Sequence, residues 1–286
     1  MSALISSQSR DNDPAVPPQT PGGDSHALVS RPPRSGRRRA FATVAAVVIL
    51  GTGAVLVTDA VLPSTTTDQT FTMDPGSPVL SVDLGLGHVL LTPSTSQRLE
   101  VHRTMRFKGR RPTVEERADA GGARITSHCP ALVGRVCEIR YEIGVPNGYA
   151  VDVQASSGGV DARGITVEKL HIDVSSGATR LEDVAGGVQI TSSSGSITGT
   201  RLNSGDFAAQ LASGSTDLDF VVPPQLVTVS ASSGAVSVRL PASGAPYHVA
   251  TESGSGEEEI QVPTDPASRH RVAVSTGSGS ITVVPR

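Results

Sequence analysis

The sequence predicts an all-β protein: a single-chain β-solenoid with coils of about twenty residues, preceded by one transmembrane helix and a disordered tail. Three observations carry this expectation. From residue 151 onward one eight-residue pattern (apolar, any, apolar, any, small or apolar, any, Ser, Gly) recurs seven times, with Gly-to-Gly steps of 19, 18, 19, 20, 20 and 25 residues. Each copy alternates with a period of two, as a strand with one buried face does. Aromatic residues make up only 3% of the 286, which suits a thin core of β-branched side chains shared between stacked coils.

Residues 1–39 contain six Pro and no aromatic residue. Such a segment cannot bury enough apolar surface to offset its chain entropy and is expected to be a disordered basic tail. Five of its six Arg close it: Arg31, Arg34, Arg37, Arg38 and Arg39. The nineteen residues that follow, 40–58, carry no charge; as a helix they nearly cross a hydrocarbon core ~30 Å thick. The run has no polar face at helical spacing, which argues against a buried core helix. A signal-anchor helix over 40–62 is therefore expected. With five Arg before it and no Lys or Arg after it until Arg98, the tail stays in the cytoplasm and residues 63–286 lie outside, in a single-pass cell-membrane arrangement. A cleaved export signal is the competing reading, although the segment before the apolar run is long for one. Both export the same domain.

Residues 63–144 read as a linker and divergent first coils. LSVDLGLGHVLL, around Gly87, has the form of a coil with Leu86 where Ser normally stands. RLEVHRTMRF and CEIRYEIGVP alternate as strands, and TVEERADAGGARI between them fits either a short helical turn or a loop. Cys129 and Cys137 are the only cysteines. In an exported domain they are expected to form a disulfide around a short loop; free thiols, or a metal site with His128, are the alternatives. Residues 98–140 hold ten Lys/Arg against five Asp/Glu. This basic stretch is either a solvated hairpin or a surface for anionic lipid or wall polymer.

The repeats fill 145–286. Their inward residues would be Val151/Val153/Ala155, Leu170/Ile172/Val174, Val188/Ile190/Ser192, Phe207/Ala209/Leu211, Val227/Val229/Ala231, Tyr247/Val249/Thr251 and Val272/Val274/Thr276. Stacked in chain order, they would set Val153, Ile172, Ile190, Ala209, Val229, Val249 and Val274 in one column. Gly158, Gly177, Gly195, Gly214, Gly234, Gly254 and Gly279 would be the corners, where glycine allows positive φ and close approach of coils. Second short strands are suggested by Val160, Ile197, Val236 with Val238, and Ile281 with Val283. Val-Pro and Leu-Pro steps mark a second corner; the longest loop there, PTDPASRHR, is a natural place for binding. An antiparallel sandwich is the alternative, but it would need Asn-Gly or Asp-Gly hairpin turns rather than a repeated Ser-Gly.

Charge and motifs exclude several functions. A net charge of −3 rules out a globally basic nucleic-acid binder. Phosphate-loop, GxGxxG, HExxH and GxSxG motifs are absent, so no catalytic residue, cofactor or metal site is assigned. Asp173, Glu182, Asp183, Asp217 and Asp219 could line a solenoid face as in polysaccharide-cleaving β-helices; the narrow coils and missing aromatic sugar platforms weigh against it.

The run IGVPNGYAVDVQASSGGV, followed by spaced Ser-Ser-Gly copies, resembles the "putative adhesin" family of bacterial envelope proteins, whose coils stack like slices in a toast rack. The resemblance covers about 78–286 and is firmest for 143–286. It implies a right-handed solenoid of unknown molecular function, often behind one membrane anchor. The expected function is a non-enzymatic, membrane-anchored extracytoplasmic adhesin or binding module for wall polymer or an envelope protein. The alternative is an envelope-stress sensor or regulator signalling through the span. With ITVVPR as the last strand, an open sheet edge there would invite self-association.

Overall fold

The computed structural model describes residues 63–130, 136–242, 244 and 246–286. The expected tail and membrane span lie outside these residues. No helix occurs among them; the described residues are all-β, in nineteen strands.

The middle of the repeat region follows the alternating pattern closely. β7 (Ala150–Arg163), β8 (Thr166–Ser176), β10 (Ala185–Ser194), β12 (Asp206–Ser213) and β14 (Leu226–Ser233) stack in parallel. Val151, Leu170, Val188, Phe207 and Val227 stand in one register, and all are buried. After the Ser-Gly corner, the far end of β7 continues into a second parallel face of β9 (Thr179–Glu182), β11 (Ile197–Leu202), β13 (Thr216–Phe220) and β15 (Val236–Leu240). Its inward column is Val160, Thr179, Ile197, Thr216 and Val236. Apolar side chains from the two faces form the dry column between them; Phe207 and Phe220 meet edge to face, 5.8 Å between centroids.

The corner glycines show why the repeat is written as it is. Gly158, Gly177, Gly195, Gly214 and Gly234 have φ between +130° and +150°. A Cβ on any of them would lie 1.5–1.7 Å from the carbonyl oxygen of the corner glycine in the preceding coil. The first of these oxygens belongs to Gly87, so the divergent coil shares the column. Leu86, in the Ser position, is 45% exposed.

At both ends the order in space departs from the order in the chain. β2 (Val79–Pro93) carries the divergent coil and pairs along its length with β7, Val82 beside Val153. On its other side lie β5 (Gly122–His128) and β6 (Cys137–Val145), which together make an outer coil. The chain thus lays β2, runs out to β5 and β6, and returns past β2 to β7. Two antiparallel extensions lie beyond: β3 (Leu99–Phe107) on β6 with β1 (Thr65–Met73) on β3, and β4 (Thr113–Asp119) on β5. TVEERADAGGARI is therefore a β-hairpin. The boundary expected at 144/145 falls within one continuous sheet.

The C-terminal end repeats this manoeuvre and corrects the chain-order stack. β18 (Arg271–Ser278) and β19 (Ile281–Pro285) lie directly on β14 and β15, while β16 (His248–Ser253) and β17 (Glu258–Ile260) lie outside them. Val274, not Val249, stands beside Val229, and Thr251 stands beside Val274. The corner above Gly279 is Gly256 rather than Gly254, which sits over Gly277. Composition supplies the reason. Glu258 falls in the inward register, beside Ile281, and between Val236 and Ile281 its carboxylate would be buried at high cost. Placed last, the coil keeps Glu258 exposed. The final strand β19 is therefore interior, and the open edge belongs to β16 and β17.

Candidate interaction surface

The inward columns are closed at both ends by polar side chains. At the N-terminal end, inward-facing Arg103 of β3 meets Glu116 of β4, joining the two faces over the top of the core. The Tyr141 hydroxyl of β6 donates to the same carboxylate oxygen at 3.0 Å. Arg103 is 2% exposed. Burial, then the adjacent Glu116 charge, pushes the Tyr141 hydroxyl well above the ordinary tyrosine range. Cys129 and Cys137 are disulfide-bonded, with Cα atoms 6.1 Å apart, across the step from β5 to β6. At the C-terminal end, Glu258 reaches back over the core to accept from the Ser253 backbone N–H at 2.7 Å and from the Thr251 hydroxyl.

The outer side of the second face is a ladder of matched charges. Arg201 donates to Glu182 and Asp183, Arg239 to Asp217 at 3.0 Å, and Arg286 to Asp219 at 2.8 Å. The Arg201 guanidinium holds the Asp183 carboxyl below its usual range. Asp161, only 7% exposed, lies among His88, Arg163 and Arg180 at 3.6, 3.3 and 3.7 Å. Four of the five carboxylates that the sequence singled out are thus tied to arginines of other coils, and Asp173 lies on the other face. Asp161 lies late in β7, and an outward Asp beside Val160 carries no sequence sign of its three basic neighbours. Among the described residues no group of three or more His, Cys, Asp or Glu is placed to hold a metal ion.

The first face is different. Outward from the Ser-Gly strands run Gln154, Asp173, Thr191, Gln210, Ser230 and Ser275. A groove of about 510 Å³ over the early coils is lined by Ser81, Asp152, Lys169, His171 and Gln189. His248 is exposed on the outer coil.

That outer coil carries the least satisfied surface. β16 pairs with β18 on one side. The His248 and Gly254 N–H groups point to the β18 side, bonding His270 and Thr276 carbonyls. Along a strand such groups alternate sides, so the Val249 and Thr251 amides face outward, and Ser253 is covered by Glu258. Beside this edge lies a groove of about 420 Å³ lined by Val249, Ile260, Val262 and Asp265, with Ile260 41% exposed. The long loop PTDPASRHR is the return path under the coil: His270 Nδ1 lies 2.7 Å from the Pro224 carbonyl, and its ring packs on Tyr247.

Residues 145–284, with their Ser-Gly corners stacked in parallel, match the family model Toastrack DUF4097. In this chain β1 to β5 and most of β6 precede the matched stretch, yet β2 pairs with β7 in the same sheet. Among solved structures, the chain is similar to a putative cell adhesion protein from Clostridium sporogenes (11% identity, 78% of this chain and 100% of that one, TM-score 0.32). It is also similar to a putative adhesin from Bacteroides fragilis (12% identity, 78% and 97%, TM-score 0.36). No curated protein matches.

Proposed function

We propose that the protein is a non-enzymatic, membrane-anchored extracytoplasmic binding module, its coils wound right-handedly, that takes up an extended segment of an envelope protein as an added strand. The observation that carries this reading is the open outer edge of β16 beside a groove of mixed polarity that Val249, Ile260 and Val262 line together with Thr264 and Asp265. An edge supplies main-chain hydrogen bonds and an adjoining pocket supplies side-chain selection. Adhesin names among the similar structures agree with binding. The Cys129–Cys137 disulfide suits an oxidising compartment, and the uncharged run at 40–58 after five Arg supports an anchor facing outward.

Glu252, Glu257 and Glu259 border the edge. They would face their own images if two copies paired tail to tail, so self-association of that kind is disfavoured and a partner strand bearing Lys or Arg is favoured. Capture from envelope extract by the full chain in detergent, compared with Val249→Pro, tests the reading. The outward amide makes proline tolerable there, at about 1 kcal/mol or less. Capture by the parent chain and its loss in the variant is expected. Equal capture by both would exclude the edge, and capture by neither would exclude this binding function.

A further inference from the structure

The loop between β3 and β4 concentrates positive charge at one point of the domain. Arg106, Arg110 and Arg111 are exposed and have no partner among the described residues, with Lys108 between them. Glu138, opposite Arg106 in the ladder, is engaged by Arg140 at 3.8 Å. Elsewhere Arg163, Arg180, Arg201, Arg239 and Arg286 are all matched to carboxylates. Arg124, Arg269 and Arg271 are also exposed without such a partner, but in this loop three unmatched guanidinium groups fall within six residues.

Their position gives them a meaning. β1 pairs antiparallel with β3, Thr65 beside Phe107 and Thr66 beside Arg106. The basic loop thus begins where the chain enters the domain, although more than forty residues of sequence separate the two. From Leu62, the end of the expected span, to Thr65 is three residues, at most roughly 10 Å of extended chain. That is about one Debye length at physiological ionic strength.

We infer that Arg106, Arg110 and Arg111 form a docking surface for anionic phospholipid headgroups, holding the base of the domain against the membrane that anchors it. The inference rests on the anchored reading in the proposed function and not on the β16 edge. Basic side chains close to an anionic leaflet are drawn to it, and the attraction fades within a Debye length.

The test uses the full chain in nanodiscs of phosphatidylcholine alone and of phosphatidylcholine with phosphatidylglycerol, following hydrogen exchange of the Gly109, Arg110 and Arg111 amides. Exchange is expected to slow about tenfold in the anionic discs only. Arg110→Glu with Arg111→Glu should abolish the slowing, as should raising salt from about 0.05 to about 0.5 M. Equal exchange in both discs, or slowing that survives charge reversal, would overturn the inference. So would binding of a soluble anionic wall polymer with no preference between discs. A chain that enters neither disc removes the anchor itself, and the inference with it, an outcome read separately from loop exchange.

Discussion

Glycine at the corner is required twice over, by positive φ and by the carbonyl oxygen of the preceding coil. Gly195 has φ +143° and would place a Cβ 1.7 Å from the Gly177 oxygen. Gly195→Ala should therefore cost roughly 3 kcal/mol, combining backbone strain and overpacking. Gly205→Ala, with nothing within 4 Å of the added methyl, should leave the denaturant midpoint almost unchanged. Thr216 makes the opposite case. It stands between Ile197 and Val236 in a dry column, and its hydroxyl has no partner. Thr216→Val should raise stability by about 1 kcal/mol in urea titration. The same residue shows a limit of pattern reading: with Thr179 and Thr216 at the first inward position, β9 and β13 begin without the apolar residue that marked β11, β15 and β19, although Leu181, Leu218 and Phe220 follow on the inward side.

Among the elements, the end strands decide how the stack stops. β3, β4 and β6 are tied by the Arg103–Glu116–Tyr141 cluster, and breaking a buried ion pair by removing one member typically costs ~3–5 kcal/mol. The cluster also sets a pH dependence. The Tyr141 hydroxyl titrates higher in the folded than in the unfolded chain. Above a pH of about 10 the unfolded chain has released this proton and the folded one retains it, so stability falls as pH rises through that window and is complete below it. Urea midpoints measured across it should fall more steeply for the parent chain than for Tyr141→Phe. None of this cluster could be read from sequence, because Arg103, Glu116 and Tyr141 sit on three strands whose adjacency depends on the detour of the chain around β2.

For the whole molecule, the repeat made the coil height, the inward faces and the corners legible, since each follows from local period and glycine spacing. The order of the coils was not legible there. Seven similar copies can pair in any sequence, and the order is chosen by which coil can best bear an exposed end. Glu258 made that choice, and a carboxylate in an inward register was the available sign. At the other end, residues 65–144 hold no Ser-Gly copy, yet β2 lies within the same sheet as the repeats. Both outer coils are thus laid down before their inner neighbours are complete on both sides. The chain closes each end by returning beneath it.

Paired cysteines test that order most directly. Ser230 and Ser275 are neighbours across β14 and β18, their hydroxyls 3.0 Å apart, whereas a chain-order stack would place Ala250 beside Ser230. Under mild oxidation, Ser230→Cys with Ser275→Cys should cross-link within the monomer and lose both added thiols, while Ser230→Cys with Ala250→Cys should keep them. Cross-linking of the second pair and not the first would contradict the inverted order of the last two coils.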